Sequence, residues 1–188
     1  MLSECSDEKL IELYKSGNPQ GMEVLYDRYV KKVYRLTLSR LNNQADAEDV
    51  TSQVFLKLCK SLKTFRGESK FSTWIYTITN NAIIDFTRKR KQVTSLDQDI
   101  DFNDGESVQR DIEDPSPGPE AQVLEKESVK LIVDAVSKLP ESQRVVIELR
   151  YFLDSSYQEI ADYLNIELGT VKSRISRAIS YLRDNFSA

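Results

Sequence analysis

Ser156-Tyr157-Gln158-Glu159-Ile160-Ala161 opens one short helix, and Gly169-Thr170-Val171-Lys172-Ser173-Arg174 opens a second after a brief turn. Ser156 with Glu159 three positions on is a capping-box pattern, which fixes the start of the first helix. In the second helix Val171, Ile175, Ala178 and Leu182 recur at helical spacing, while Ser173, Ser176, Arg177 and Ser180 project opposite them. One stripe packs and the other is free to read DNA, so this stretch predicts a helix-turn-helix. Small Ser173 and Ser176 let the backbone sit deep in a major groove, where Arg177 can reach a guanine edge bidentately. Lys172 and Arg174 are placed to neutralise phosphates, and Thr170 at the helix start can add a further contact.

Upstream, apolar residues recur at three- and four-residue spacing and no alternating strand pattern persists, so the chain reads as all-α. Ser6 can cap a first helix with Asp7 and Glu8 in its opening turn, and Gly17 can end it. Asn18-Pro19 starts the next helix, with Met22, Leu25, Tyr26, Tyr29, Val33 and Leu36 as its buried stripe. Asn42-Asn43 breaks it before a third helix from about Asp46 to Leu62, and a fourth runs from Ser72 to about Lys91. Past the middle of the chain, Ala121 to Lys138 reads as a helix, and Pro140 restarts another through Leu149 and Phe152.

Between these halves lies a segment rich in Asp and Glu that ends in Pro115-Ser116-Pro117-Gly118-Pro119. It has few aromatics and its prolines oppose helix, so it reads as an acidic, flexible linker over residues 93–119. The expected organisation is two small helical domains, residues 1–92 and 120–188, folded separately on that tether. The net charge of −4 conceals a strong asymmetry. Basic residues from Lys57 to Lys91 precede the acidic strap, and the helix-turn-helix follows it, so the sum does not argue against a nucleic-acid partner.

Cys5 and Cys59 are far apart, with no CxxC spacing and no histidine anywhere in the chain, which disfavours a zinc site or disulfide framework. The same absence removes the usual general base, and no glycine-rich phosphate loop occurs. An enzyme with a helix-turn-helix tail is therefore disfavoured, and neither cofactor nor metal is expected. No apolar run approaches the ~20 residues of a membrane span and no secretion signal precedes the first helix, so the expected compartment is the cytoplasm.

Two further surfaces stand out. In the third helix Val50, Val54 and Leu58 face the core, whereas Asp49, Gln53, Leu56 and Lys60 fall on the opposite side, where the leucine suits a protein partner. The loop Lys63-Thr64-Phe65-Arg66-Gly67-Glu68-Ser69-Lys70-Phe71 mixes cations and aromatics, a combination suited to gripping an opened strand. Phe65 and Phe71 serve equally well as core residues. Trp74 lies on the apolar stripe with Ile75, Ile78 and Phe86, where burial is favoured over base stacking. The other side carries Thr77, Asn80, Asn81, Ile84, Arg88 and Lys91, offering amides for base edges and cations for phosphates.

Asp46-Ala47-Glu48-Asp49-Val50-Thr51, Phe71-Ser72-Thr73-Trp74-Ile75-Tyr76, Leu139-Pro140-Glu141-Ser142-Gln143-Arg144 and Gly169-Thr170-Val171-Lys172-Ser173-Arg174 together resemble the extracytoplasmic-function sigma factors of the sigma-seventy family. The resemblance covers nearly the whole chain, in the family's order. It implies a dissociable subunit with no chemistry of its own that binds core RNA polymerase and helps open the promoter. The domains would be sigma regions 2 and 4. Asp49, Gln53 and Leu56, flanked by Asp46 and Lys60, would dock on the clamp coiled coil of the polymerase's largest subunit. The loop residues Lys63, Arg66, Ser69, Lys70 and Phe71, with Trp74, would receive the non-template strand of the minus-ten element, a flipped base entering the loop. Asn80, Asn81, Ile84 and Arg88 would extend that surface. Thr170, Lys172, Ser173, Arg174, Ser176 and Arg177 would read the duplex minus-thirty-five element.

The implied partners are core polymerase, promoter DNA as duplex and as opened strand, and an anti-sigma factor, commonly membrane-bound, with no small-molecule substrate. Bound to core, the chain would lie with the nucleoid. The rival expectation is a dimeric helix-turn-helix regulator that binds palindromic operators without polymerase.

Overall fold

The computed structural model describes residues 2–96 and 130–186, and its secondary structure over those residues is helical throughout, with no strand. After a short 3-10 turn at Leu2–Glu4 come α1 (Asp7–Lys15), α2 (Gln20–Leu41), α3 (Gln44–Ser61) and α4 (Phe71–Leu96). The second half holds α5 (130–137), α6 (Glu141–Ile147), a π-type turn (Glu148–Phe152), α7 (Tyr157–Leu164) and α8 (Leu168–Phe186). The predicted linker beyond residue 96 and the predicted helix start at Ala121 lie outside the described residues.

Local chemistry sets the boundaries. The Ser6 hydroxyl accepts from the Lys9 amide at 3.4 Å and caps α1, and Gly17, at φ 97°, turns the chain after it. Asn42 ends α2 in the left-handed conformation, and its neighbour Asn43 caps α3 by accepting from the Asp46 amide at 3.0 Å. These two asparagines thus divide the labour of the α2–α3 corner. The fourth helix runs further than its sequence pattern predicts, reaching Leu96 rather than ending near Lys91.

Helices α1 to α4 bury Leu10, Leu25, Val33, Leu36, Val50, Val54, Leu58 and Ile75 in a common core. A polar knot sits within it, where the Thr37 and Thr51 hydroxyls meet at 3.0 Å and Thr37 also donates to the Ala47 carbonyl at 3.2 Å. Tyr26, expected on the buried stripe of α2, is instead 45% exposed. Its ring rests edge-on against Phe55 of α3 at 4.7 Å, so it covers the rim of the core rather than entering it.

As the sequence predicts, the helices fall into two sets, α1–α4 and α5–α8, and the two sets also pack on one another. The turn Glu148–Phe152 packs against α2 and α4, α7 also touches α4, and the buried apolar side chains of both halves form one cluster. Val146, Leu149, Ile160, Val171 and Ile175 supply the share of the second half.

Gly21 marks the closest approach of α1 and α2. A Cβ there would lie 2.3 Å from the Leu10 carbonyl oxygen and 2.9 Å from the Tyr14 amide nitrogen. Gly21→Ala would ordinarily favour a helix by up to about 1 kcal/mol. Because the obstacle is backbone, the helices must separate, and we expect a net destabilisation of about 1–3 kcal/mol, seen as a lowered midpoint in thermal unfolding. An unchanged or raised midpoint contradicts the tight α1–α2 approach.

Candidate nucleic-acid interface

The helix-turn-helix is built from its caps outward. Ser156 accepts from the Glu159 amide at 3.2 Å while the Glu159 carboxylate accepts from the Ser156 amide at 2.7 Å, which completes the capping box. Asn165, left-handed at φ 50°, ends α7, and the Ile166 amide donates back to the Ala161 carbonyl at 3.0 Å. Ile160 and Ala161 then pack on Val171, Ile175 and Ala178 of α8. That packing leaves Lys172, Ser176 and Arg177 exposed on α8. Thr170, Ser173 and Arg174 are half-buried, and the Ser173 hydroxyl is turned back onto the Thr170 carbonyl at 3.0 Å.

In the first half, the loop between α3 and α4 hangs on an aromatic cluster. Phe65 lies 4.7 Å from Trp74 and 6.2 Å from Phe71, measured between ring centroids, and the Lys15 ammonium holds the Phe65 carbonyl. Gly67, at φ 75°, makes the reversal, and Lys63, Arg66, Ser69 and Lys70 are exposed around it. Lys70 also pairs with Glu8 at 3.0 Å. Phe71 requires a correction: expected among the strand-gripping residues, it is only 3% exposed and stacks edge-on against Tyr29 at 5.0 Å. It anchors the loop from beneath. Trp74 is half-buried.

Along α4, Asn81, Ile84 and Arg88 are exposed and Asn80 is half-buried. Ile84 is 54% exposed and, with Ile83, forms the apolar part of an open cleft of about 600 Å³, rimmed by Arg40, Asn80, Arg88 and Lys91. Thr77, expected to face outward, instead donates to the Tyr163 hydroxyl of α7 at 3.2 Å. On α3, Asp49, Gln53 and Lys60 are exposed with Leu56, which is 63% exposed. Asp46 at its start is half-buried and paired with Arg90.

The cluster that sequence reading missed joins the halves. Glu148, 0% exposed, accepts from Arg40 Nε at 2.7 Å, from Arg40 Nη2 at 2.6 Å and from the Tyr76 hydroxyl at 3.0 Å. Arg40 Nη1 also donates to both oxygens of Glu141, at 2.8 and 3.1 Å. Burial raises the Glu148 carboxyl above its ordinary range, against the lowering effect of Arg40 and Tyr76. Burial likewise opposes the charge of Arg40, yet the facing carboxylates raise it overall. The converging donors decide for an ionised pair, since a neutral carboxyl could not accept from all three with comparable strength. The Tyr76 phenol is pushed up by burial and by the neighbouring carboxylate. The signal for Glu148 was present as an acid set between Ile147 and Leu149 in an apolar run, but its partner is 108 residues away.

The geometry defines a two-part helical protein with a helix-turn-helix in one part and, in the other, an aromatic-anchored loop and a cation-rimmed cleft along α4. The Sigma-70 region 2 model matches residues 25–93 and the Sigma-70, region 4 model matches residues 130–182. The ECF RNA polymerase sigma factor SigW of Bacillus subtilis is 35% identical over 180 residues, covering 96% of each chain. The ECF RNA polymerase sigma-E factor of Escherichia coli K12 is 32% identical over 183 residues, covering 95% of this chain and 93% of its own. Among solved structures, CnrH in complex with the cytosolic domain of CnrY has the same fold, with a TM-score of 0.64 at 23% identity over 96% of this chain and 97% of that one. The sigma factor RpoE of Bartonella quintana, solved with the anti-sigma factor NepR, gives 0.60 at 21% identity over 88% and 96%. The chain belongs to the extracytoplasmic-function sigma factors of the sigma-70 family. It is a transcription initiation factor, which displaces the reading as a dimeric operator-binding regulator.

Phe71→Ala should lower stability by about 3–5 kcal/mol, because it empties a site enclosed by Tyr29, Phe65 and Trp74. The loss is expected in denaturant or thermal unfolding, and a variant of wild-type stability would return Phe71 to the surface.

Proposed function

We propose that the exposed side of α8 reads the minus-thirty-five duplex through Lys172, Ser176 and Arg177, with Thr170, Ser173 and Arg174 setting its depth and phosphate contacts. The α3–α4 loop, through Lys63, Arg66, Ser69 and Lys70, holds the opened non-template strand of the minus-ten element. Trp74 is the aromatic face for an unstacked base there, and Asn80, Asn81, Ile84 and Arg88 continue the track along α4. Asp49, Gln53, Leu56 and Lys60, with Asp46 at their edge, dock on core polymerase.

The observation that carries this reading is the arrangement of α8 around Val171, Ile175 and Ala178, which are buried, with Lys172, Ser176 and Arg177 exposed away from them. The exposed Leu56 supports the polymerase face, since a large apolar side chain among polar neighbours suits a protein partner. The chain does no chemistry of its own; it orients an enzyme. It acts in the cytoplasm, and an anti-sigma protein competes for the same faces. No helix among the described residues is long and apolar enough to cross a membrane.

Run-off transcription with core RNA polymerase on genomic fragments tests the proposal, the expected result being discrete transcripts that require this chain. Arg177→Ala should reduce them by about tenfold, in line with ~1–3 kcal/mol for a bidentate base contact, while leaving co-migration with core unchanged. Gln53→Ala with Leu56→Ala should weaken co-migration without changing the melting temperature. A loss of fold in either variant would mean that the face had been misassigned to the surface.

A further inference from the structure

Helix α1 carries none of the faces proposed above, yet it holds the α3–α4 loop at both ends. Glu8 and Lys15 lie seven positions apart, so they share one face of α1 with about 10.5 Å of rise between them. The Lys15 ammonium donates to the Phe65 carbonyl, where the loop begins, and Glu8 pairs with Lys70 at 3.0 Å, where it ends. Arg66, Gly67, Glu68 and Ser69 arch between those anchors, all of them exposed, with the reversal at Gly67.

The same helix supports the loop from beneath. Tyr14 donates to the Cys59 carbonyl at 3.3 Å, near the end of α3, where carbonyls run out of partners within the helix. Asp7 accepts from the Tyr29 hydroxyl, and the Tyr29 ring lies edge-on to Phe71 at 5.0 Å. An arch of exposed residues buries little of its own surface, so its shape depends on what holds its ends. Phe65, whose carbonyl Lys15 holds, also carries the ring that lies 4.7 Å from Trp74, so a shift of that carbonyl moves the platform proposed for the unstacked base. Neither anchor is suited to touch the strand itself: the Lys15 ammonium is committed to a carbonyl, and Glu8 repels phosphate.

We infer that Glu8 and Lys15 are positioning residues of the minus-ten loop, bracing its two ends on α1 and thereby setting which base it accepts. This rests on the minus-ten surface proposed above.

The chain holds a single tryptophan, so Trp74 emission reports on the loop directly in the full chain without core. Lys15→Met should raise acrylamide quenching of Trp74 about twofold, because an unbraced loop opens locally, while the melting temperature stays unchanged. Lys15→Arg keeps a cationic donor and should restore the wild-type quenching. In run-off transcription with core, the strongest promoter found with the wild type is then compared with its single-base minus-ten variants. Lys15→Met and Glu8→Gln should each lower the preference for the original sequence about threefold, the scale of one exposed charged contact, with the salt slope unchanged. Glu8→Gln separates the brace from simple charge, since loss of an acid would otherwise tighten every strand alike. Unchanged quenching in Lys15→Met overturns the brace, and a clear fall in its melting temperature makes Lys15 a fold residue and overturns it too. A salt slope shallower by about one makes Lys15 a phosphate contact instead. Uniform tightening by Glu8→Gln removes Glu8 from the brace. Full preference retained in both variants overturns the proposal while wild-type transcription leaves the sigma faces intact. A wild type that yields no transcript removes the parent reading instead, and the quenching arm still decides the brace.

Discussion

A single buried guanidinium sets the relation between the two halves of this molecule. Arg40 offers Nε and Nη2 to Glu148 and Nη1 to Glu141, and the Tyr76 hydroxyl fills the remaining demand of the Glu148 carboxylate. Removing two such charges from water costs several kcal/mol per ion, and their attraction repays this only where geometry and further hydrogen bonds are good. The arrangement meets both conditions, so it fixes orientation firmly while adding little net affinity. An apolar contact of the same area would hold the halves together without regard to angle. The ionic one specifies a single docked arrangement, and it releases hydrated groups when broken.

Much of the local structure is legible in the sequence because its causes are local. Ser6, Asn43 and Ser156 each cap the helix they precede through a hydrogen bond within three residues. Asn42 and Asn165 both adopt the left-handed turn that ends a helix. The division of α8 follows from 3.6-residue spacing alone, and so does the exposure of Leu56. None of these needs knowledge of a distant partner.

The misreadings share the opposite cause. Tyr26 has the spacing of a core residue, yet the angle between α2 and α3 leaves only its edge against Phe55. Phe71 sits beside cations in a loop, and nothing nearby in sequence shows that Tyr29 closes over it. Thr77 projects from α4 toward solvent until α7 arrives with Tyr163. Arg40 looks like an ordinary surface charge on an amphipathic helix, and the apolar run around Glu148 points to burial without showing the partner 108 residues away. The two helical domains are legible in the sequence, but the contact that Arg40 and Glu148 make between them is not, because hydrophobic periodicity is blind to a polar contact.

This distribution of apolar and polar contacts bears on the order of events in initiation. In the docked arrangement Asp49, Gln53 and Leu56 stay fully presented on α3, whereas part of α4 is shielded by α7 and Arg40 is occupied. On the faces proposed above, the polymerase surface is available on the free chain and the DNA surface is partly covered. Any affinity that core has for the open arrangement over the docked one appears as a coupling energy, and by linkage the same energy raises the affinity for promoter DNA. A ligand that binds both arrangements equally shifts nothing. On those proposed faces, dependence on polymerase follows from which surfaces the docked arrangement leaves exposed, without requiring any change in the shape of either domain.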